Sequence, residues 1–267
     1  MLLAQFIARL TQHIICKTKI IIRIHEQGTT REMMKRFFVD IETLPPDKAS
    51  VENCVREEIS PCTDEDFRRL ALDGDFGRVL TIGLVVEHDE QVIQRGLLGR
   101  ERQTMMFHLD EARTLRGFWK MLGSFNVRRD LVVGHNLFDF DLPFLYKRSV
   151  IQRVRPSVDL PFTRYRAQPI FDTMHQWNKW SPRKFISLDR LAKVLGLESS
   201  KGQGIDGSRV YDKFCAGCHQ EIADYCMRDV ELVRAAYYRM VFPDGVGTPM
   251  PDARRIDVTG KSADAAG

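Results

Sequence analysis

No window of the 267-residue chain reaches 18 apolar residues, so a membrane-spanning helix is not expected. Cysteine is sparse and irregular. The six, at 16, 54, 62, 215, 218 and 226, show no disulfide-framework spacing, and a chain of this length can bury a core without cross-links. A reducing, cytoplasmic setting is the expectation. Residues 1–36 hold no acid before Glu26, yet they lack the uninterrupted apolar stretch and small-residue cleavage site of a secretory signal. The expectation is an N-terminal extension over 1–35, outside the main fold, with a start at Met33 or Met34 as an alternative. From about Gly245 the composition turns to Gly, Pro, Ala and charge, and 243–267 is expected to be a flexible tail. Metal-binding cysteine chemistry is also thin. Cys215-Ala-Gly-Cys218-His219 has the C-x-x-C-H pattern of haem attachment, but nothing supports the export route that haem attachment requires. A zinc site needs a second ligand pair, and Cys226 alone does not make one.

What is present is an ordinary globular composition, 43% hydrophobic and 28% charged, with a net charge of +4. The charge is uneven. Residues 47–78 hold nine acidic and five basic side chains, whereas 95–166 hold fourteen Arg/Lys against seven Asp/Glu. A solvated surface explains such a basic region as well as a polyanionic partner does, although arginine's fork suits phosphate. Strand patterns lie at about 36–43, 78–87 and 92–99, with HDEQ as the turn between the last two. Asp110 is placed to cap a helix with Leu115, Phe118, Trp119 and Leu122 at helical spacing. DLVVGHN (130–136) is a short strand, FDFDLPFLYKRSV begins a helix, and PIFDTM (169–174) is a short strand or turn. Ser187 caps LDRLAKVLG, 201–210 is a Gly-rich loop, and a last helix runs from about His219 to Met240. This order predicts an α/β domain over 36–242, a mixed sheet flanked by helices.

Three places set acids in apolar surroundings. In FFVDIETLP (37–45) Asp40 and Glu42 share one strand face, roughly 6–7 Å apart along the chain. An edge strand with one wet face would explain them, because burying like charges without a partner costs several kcal/mol. In GHNLFDFDLPFL, Asp141 lies in the first turn of a helix just ahead of Pro143, where a carboxylate suits the helix dipole. Asp139 is the better plain N-cap, which leaves Asp141 free to point elsewhere. In EIADYCMRDVELV, Tyr225 and Asp229 stand one turn apart beside the Ile222–Val230–Val233 stripe, where a hydrogen-bonded pair is the ordinary reading. Taken together, Asp40, Glu42, Asp141 and Asp229 form a set of hard oxygen donors suited to two Mg²⁺ or Mn²⁺ ions. Two such ions can activate a water and stabilise the leaving oxygen of a phosphodiester. Tyr225 then has a role in orienting that water.

FVDIETLP, HNLFDFDLPFL and YCMRD resemble the three exonuclease motifs of the DEDD superfamily of 3′→5′ exonucleases. A tyrosine four residues before the last aspartate resembles its DEDDy branch. The five-residue step from Asn136 to Asp141, with Phe140 before the acid, is similar to the proofreading domain of family B DNA polymerases. Small bacterial exonucleases related to that domain are the nearest likeness, over about 36–241, and IDGSRVYDKF resembles a loop they carry before the last helix.

The resemblance implies a ribonuclease H-like fold, two divalent ions held by Asp40, Glu42, Asp141 and Asp229, and Tyr225 positioning a water. It further implies Thr43, Leu44 and Asn136 as substrate contacts, with Phe140 either stacking or, more in character, packing. Asp172 is read as structural. The expected activity is hydrolysis from the 3′ end of nucleic acid, single-stranded DNA in preference to RNA. An RNA exonuclease of the ribonuclease D or oligoribonuclease type is the alternative within the class. A non-catalytic nucleic-acid-binding module is the alternative outside it. Trp177 and Trp180, near Arg183 and Lys184, could stack on bases or simply pack. His135 is read as a turn hydrogen-bonder rather than a general base.

Overall fold

The computed structural model describes residues 34–47, 63–182, 184–199 and 207–242. Of the expected extension over 1–35, residues 1–33 lie outside them, whereas Lys35 already opens the first strand; the tail from 243 also lies outside. Strand β1 (Lys35–Leu44) is followed by a short helix α1 (Asp64–Arg69), which a capping box between Thr63 and Asp66 opens. Then come β2 (Arg78–His88), β3 (Gln91–Leu98), α2 (Glu111–Met121), β4 (Leu131–Gly134) and α3 (Asp141–Ile151). The chain closes with β5 (Ile170–Asp172), α4 (Thr173–Trp177), α5 (Leu188–Leu195), α6 (Val210–Cys215) and α7 (His219–Val241).

The five strands form one mixed sheet in the order β3-β2-β1-β4-β5. β1, β2 and β3 pair antiparallel, while β4 lies parallel to both β1 and β5. The β2–β3 turn places the non-glycine residues Asp89 and Glu90 at positive φ (51° and 69°), the geometry a tight hairpin demands. Asp110 caps α2 by accepting from the Arg113 amide at 2.9 Å. Ser187 does the same for α5, which ends on left-handed Gly196 (φ 67°). These boundaries match those read from the residues.

Alternation along β1 divides its side chains between two layers. Phe37, Val39 and Ile41 enter the main core, with Leu115 and Phe118 of α2 and Phe144 and Leu145 of α3. On the other face Phe38 meets Val230, Val233 and Tyr237 of α7, and Leu44 meets Ile222 and Tyr225. Asp40 and Glu42 fall between these two apolar contacts, so they point at α7. β1 is the middle strand of the sheet, not an edge, which removes the wet-face explanation for its acids.

Where the chain departs from expectation, tertiary contacts are responsible. Asp139 is not the cap of α3. Phe140 occupies that position without a side-chain bond, and Asp139 pairs instead with His175 at 3.0 Å and with Arg164. Helices α4 and α6 have only five and six residues, too few to show a period. Within the described residues no helix is long and apolar enough to cross a membrane.

Candidate active site

β1 outruns its parallel neighbour. Its pairing with β4 ends at Phe38↔Val133, while its pairing with β2 runs on to Leu44. The gap left beyond β4, at the carboxyl end of the parallel strands, is where open α/β sheets place their ligands. Asp40 and Glu42 open into it, opposite Gly83 and Thr81 of β2, and the register shifts immediately after Glu42. Such a bulge can re-aim a side chain next to a functional site.

The turn after β4 brings Asp141 to the same place. Asn136 adopts a left-handed conformation (φ 64°). The carboxylate of Asp172 accepts from the amides of Asn136 and Phe138 at 3.0 and 3.1 Å. It also caps α4, accepting from Met174 and His175 at 3.0 and 3.2 Å. Asp172 is fully buried, so it acts as a structural tie between the second motif and β5–α4, as the sequence reading held. Helix α7 then delivers Tyr225, Cys226 and Asp229 from above. Gly83 permits the close approach: a Cβ there would lie 2.7 Å from Val230 Cγ2 and 2.8 Å from Cys226 Sγ.

The result is a cluster of four carboxylates, Glu42, Asp141 and Asp229 buried and Asp40 half-buried, that sense one another's charge. Burial, followed by the charges of Asp229, Glu42 and Asp141, pushes the Asp40 carboxyl well above its ordinary range. Burial and the charges of Asp229 and Asp141 do the same to Glu42. Asp141 is raised to about 8, chiefly by burial, although its own backbone amide and that of Ile41 pull the other way. Among the described residues no lysine or arginine forms an ion pair with Asp40, Glu42 or Asp141. A cluster of this kind is costly unless a cation neutralises it. The donor set, carboxylate oxygens throughout, fits hard divalent ions.

Tyr225 is buried, and its hydroxyl donates to Asp229. Burial, then the negative charge of Asp229 and Glu42, raises its phenol further above the ordinary value. It therefore stays protonated, a hydrogen-bond donor rather than a base.

Asn136, Tyr225 and Asp229 line a cavity of about 420 Å³, with Met174, Phe185 and Leu188. The other substrate candidates sit differently. The Thr43 hydroxyl donates to the Ala71 carbonyl at 2.6 Å. Leu44 is buried against α7, and Phe140 packs on Phe144 with ring centroids 5.6 Å apart. His135 is held between the Thr173 hydroxyl and the Ile186 carbonyl, both at 2.9 Å, as a hydrogen-bonder in the turn.

Sequence reasoning missed one neighbour. The Cys226 thiol lies within 4.8 Å of ligand oxygens of both Asp40 and Glu42. Its place on the Ile222–Val230–Val233 stripe was the available signal, because a residue four after Ile222 and four before Val230 must face the sheet. By contrast Cys215, Cys218 and His219 form no metal-ligating group among the described residues. His219 instead accepts from the Phe107 amide at 3.3 Å.

Residues 68–246 match the family described as predicted 3′-5′ exonuclease related to the exonuclease domain of PolB. The chain belongs to that family. The matched span includes Asp141, Tyr225 and Asp229 and begins after β1. The structure is similar to that of the family B DNA polymerase from the hyperthermophilic archaeon Pyrobaculum calidifontis, with a TM-score of 0.53 and 20% identity. That likeness covers 79% of this chain and 25% of the polymerase; at this identity it speaks for the fold alone, a mixed ribonuclease H-like sheet flanked by helices. No curated protein matches the chain.

Proposed function

We propose that the protein removes nucleotides from the 3′ end of single-stranded DNA by metal-dependent hydrolysis. Asp40, Glu42, Asp141 and Asp229 would hold two Mg²⁺ or Mn²⁺ ions. The observation that carries this reading is the convergence of four carboxylates, three of them buried, from β1, α3 and α7, with no lysine or arginine paired to Asp40, Glu42 or Asp141 among the described residues. Bound there, such ions activate a water and stabilise the leaving oxygen of a phosphodiester.

The remaining work falls to the chain itself. The middle strand of the sheet fixes Asp40 and Glu42, and α3 and α7 bring their acids to it, so the donors are positioned before substrate arrives. Tyr225, held protonated by burial, would orient the attacking water. Asn136, on the cavity wall, would contact the terminal nucleotide. Thr43, Leu44 and Phe140 lie next to the acids in the chain and are held by packing and a hydrogen bond, so their contribution would be to support the acids rather than to line the cavity.

The test is degradation of labelled single-stranded DNA and RNA oligonucleotides with Mg²⁺ or Mn²⁺. Products should shorten from the 3′ end, faster on DNA, with Asp141→Ala and Asp229→Ala at background. If both variants keep full activity, the site is wrong; faster loss of RNA would make the protein an RNA exonuclease instead.

A further inference from the structure

Helix α4 faces two ways. Met174 lines the cavity beside Tyr225 and Asp229, while the next residue, His175, packs on an aromatic group that leads to the surface. Phe138 stacks on His175 with centroids 6.0 Å apart and planes 1° from parallel. Trp180 lies 4.8 Å from His175 and 5.2 Å from Phe138. Tyr165, 5.3 Å from Trp180, forms the outer end and is 76% exposed. An aromatic ring is a costly group to leave in water, and single exposed ones need no explanation. This one is the rim of a continuous row that starts at the second motif.

Two further observations indicate an occupant. Tyr165, Lys179 and Trp180 all adopt positive φ (65°, 49° and 60°), a conformation non-glycine residues rarely take, so the backbone on both sides of the row is held against its preference. The charge around it is also one-sided. Residues 153–184 contain seven Arg/Lys and two Asp, of which Asp172 is buried inside the fold. Arg164 is drawn over the Phe138 ring, 5.9 Å from its centroid, and paired with Asp139. Arg166 and Lys179, both exposed, have no ion pair among the described residues. Trp180 is half-buried against the main core and holds the exposed Tyr165 ring in place; an anchored ring beside free cations is what a single nucleic-acid strand stacks and lies on.

We propose that Tyr165 and Trp180 form a ledge on which bases upstream of the 3′ terminus stack, with Arg166 and Lys179 facing the strand's phosphates. This rests on the nuclease reading above and adds to it. The enzyme would grip several nucleotides of single strand rather than the terminal one alone, and its preference for longer strands would come from this surface. The contact is to base faces and phosphates, so it tolerates any sequence.

The clean probe is Tyr165, whose one recorded ring contact is Trp180, so Tyr165→Ala should fold with an unchanged Tm. Binding is read by tryptophan fluorescence with single-stranded oligonucleotides of increasing length, in an Asp141→Ala background that cannot cleave. Turnover on the same length series is read in the active protein. Longer strands should bind tighter and have lower KM, and Tyr165→Ala should weaken their binding at least about fivefold and erase the length advantage. Tyr165→Phe, which keeps the ring, should behave as wild type. If Tyr165→Ala binds and degrades every length as wild type does, the ledge is refuted while the nuclease reading stands. If wild type neither binds nor cleaves any oligonucleotide, both fall together.

Discussion

His135 shows how a single residue near the site is tuned by its partners. The Ile186 carbonyl can only accept, so the neutral ring donates to it through Nε2, and its Nδ1 then competes with the Gly134 carbonyl for the single Thr173 hydroxyl proton, at 2.9 and 3.1 Å. Burial is the main reason its pKa falls below 6.5, with the nearby His175 adding to the fall and the Ile186 carbonyl and Asp172 opposing it. A depressed folded value means that above about pH 6.5 both folded and unfolded chains are neutral here and no stability is lost. Below that the unfolded chain takes up the proton first, so stability declines as pH falls towards the folded pKa. Over the same range the buried acids, raised in the metal-free fold, gain stability as pH falls, so urea midpoints in chelator should rise more between about pH 7.5 and about pH 5 in His135→Gln, which keeps a donor but does not titrate, than in wild type. Equal slopes for the two proteins would show that the ring is not held neutral by its burial. At this scale the sequence was most legible. The acids declare themselves because carboxylates in apolar strands and helix starts are anomalous. Cys226 did not, because a cysteine on an apolar stripe looks like ordinary core.

Between elements, the contact that matters most to the site is the one across Gly83. α7 approaches β2 so closely that any side chain there meets Val230 and Cys226 below 3 Å, and the residues on either side of Cys226 in that helix include Tyr225 and Asp229. Gly83→Ala must therefore displace the Val230 and Cys226 side chains or the α7 backbone that carries them, and so disturb one wall of the carboxylate cluster. The expected loss is about 1–3 kcal/mol of stability, together with a fall in exonuclease activity measured well below the melting range. Gly123→Ala is the control, since nothing lies within 4 Å of a Cβ built there, and it should be neutral in both assays. A normal rate in Gly83→Ala would mean the cluster does not depend on this contact. The same scale explains what the residues concealed. Asp139 looks like a helix cap in sequence because capping is local, but His175 and Arg164, brought in by the chain 25 to 36 residues later, compete for it and win. α4 and α6 were hidden for a different reason: helices of one turn or so carry no readable period, and α4 is defined by its cap, Asp172, more than by its face.

For the molecule as a whole, the site is a place where the fold works against itself. The middle strand of the sheet is stabilised by Phe37, Phe38, Val39, Ile41 and Leu44, all buried, yet it carries two acids into the same interior, and α3 and α7 add two more. Burial raises three of them well clear of the normal carboxylate range, which is to say that the metal-free fold resists holding them charged. Cations that bind the folded cluster and not the unfolded chain reverse this, because their binding energy is added to folding. At a hundredfold excess over Kd one such ion contributes about 2.7 kcal/mol, roughly 5–10 °C in Tm for a chain of this size. Protein stripped with EDTA should therefore melt lower than the same protein given Mg²⁺ or Mn²⁺, with the rise saturating as the ion does. Asp141→Asn should lose most of that rise while melting no lower than wild type in EDTA, since it removes a ligand and a buried charge together. The two halves of this prediction separate the explanations. A variant that melts far lower in EDTA would make Asp141 a structural acid. A wild type indifferent to divalent ions would mean that the four carboxylates, however placed, do not form a metal site.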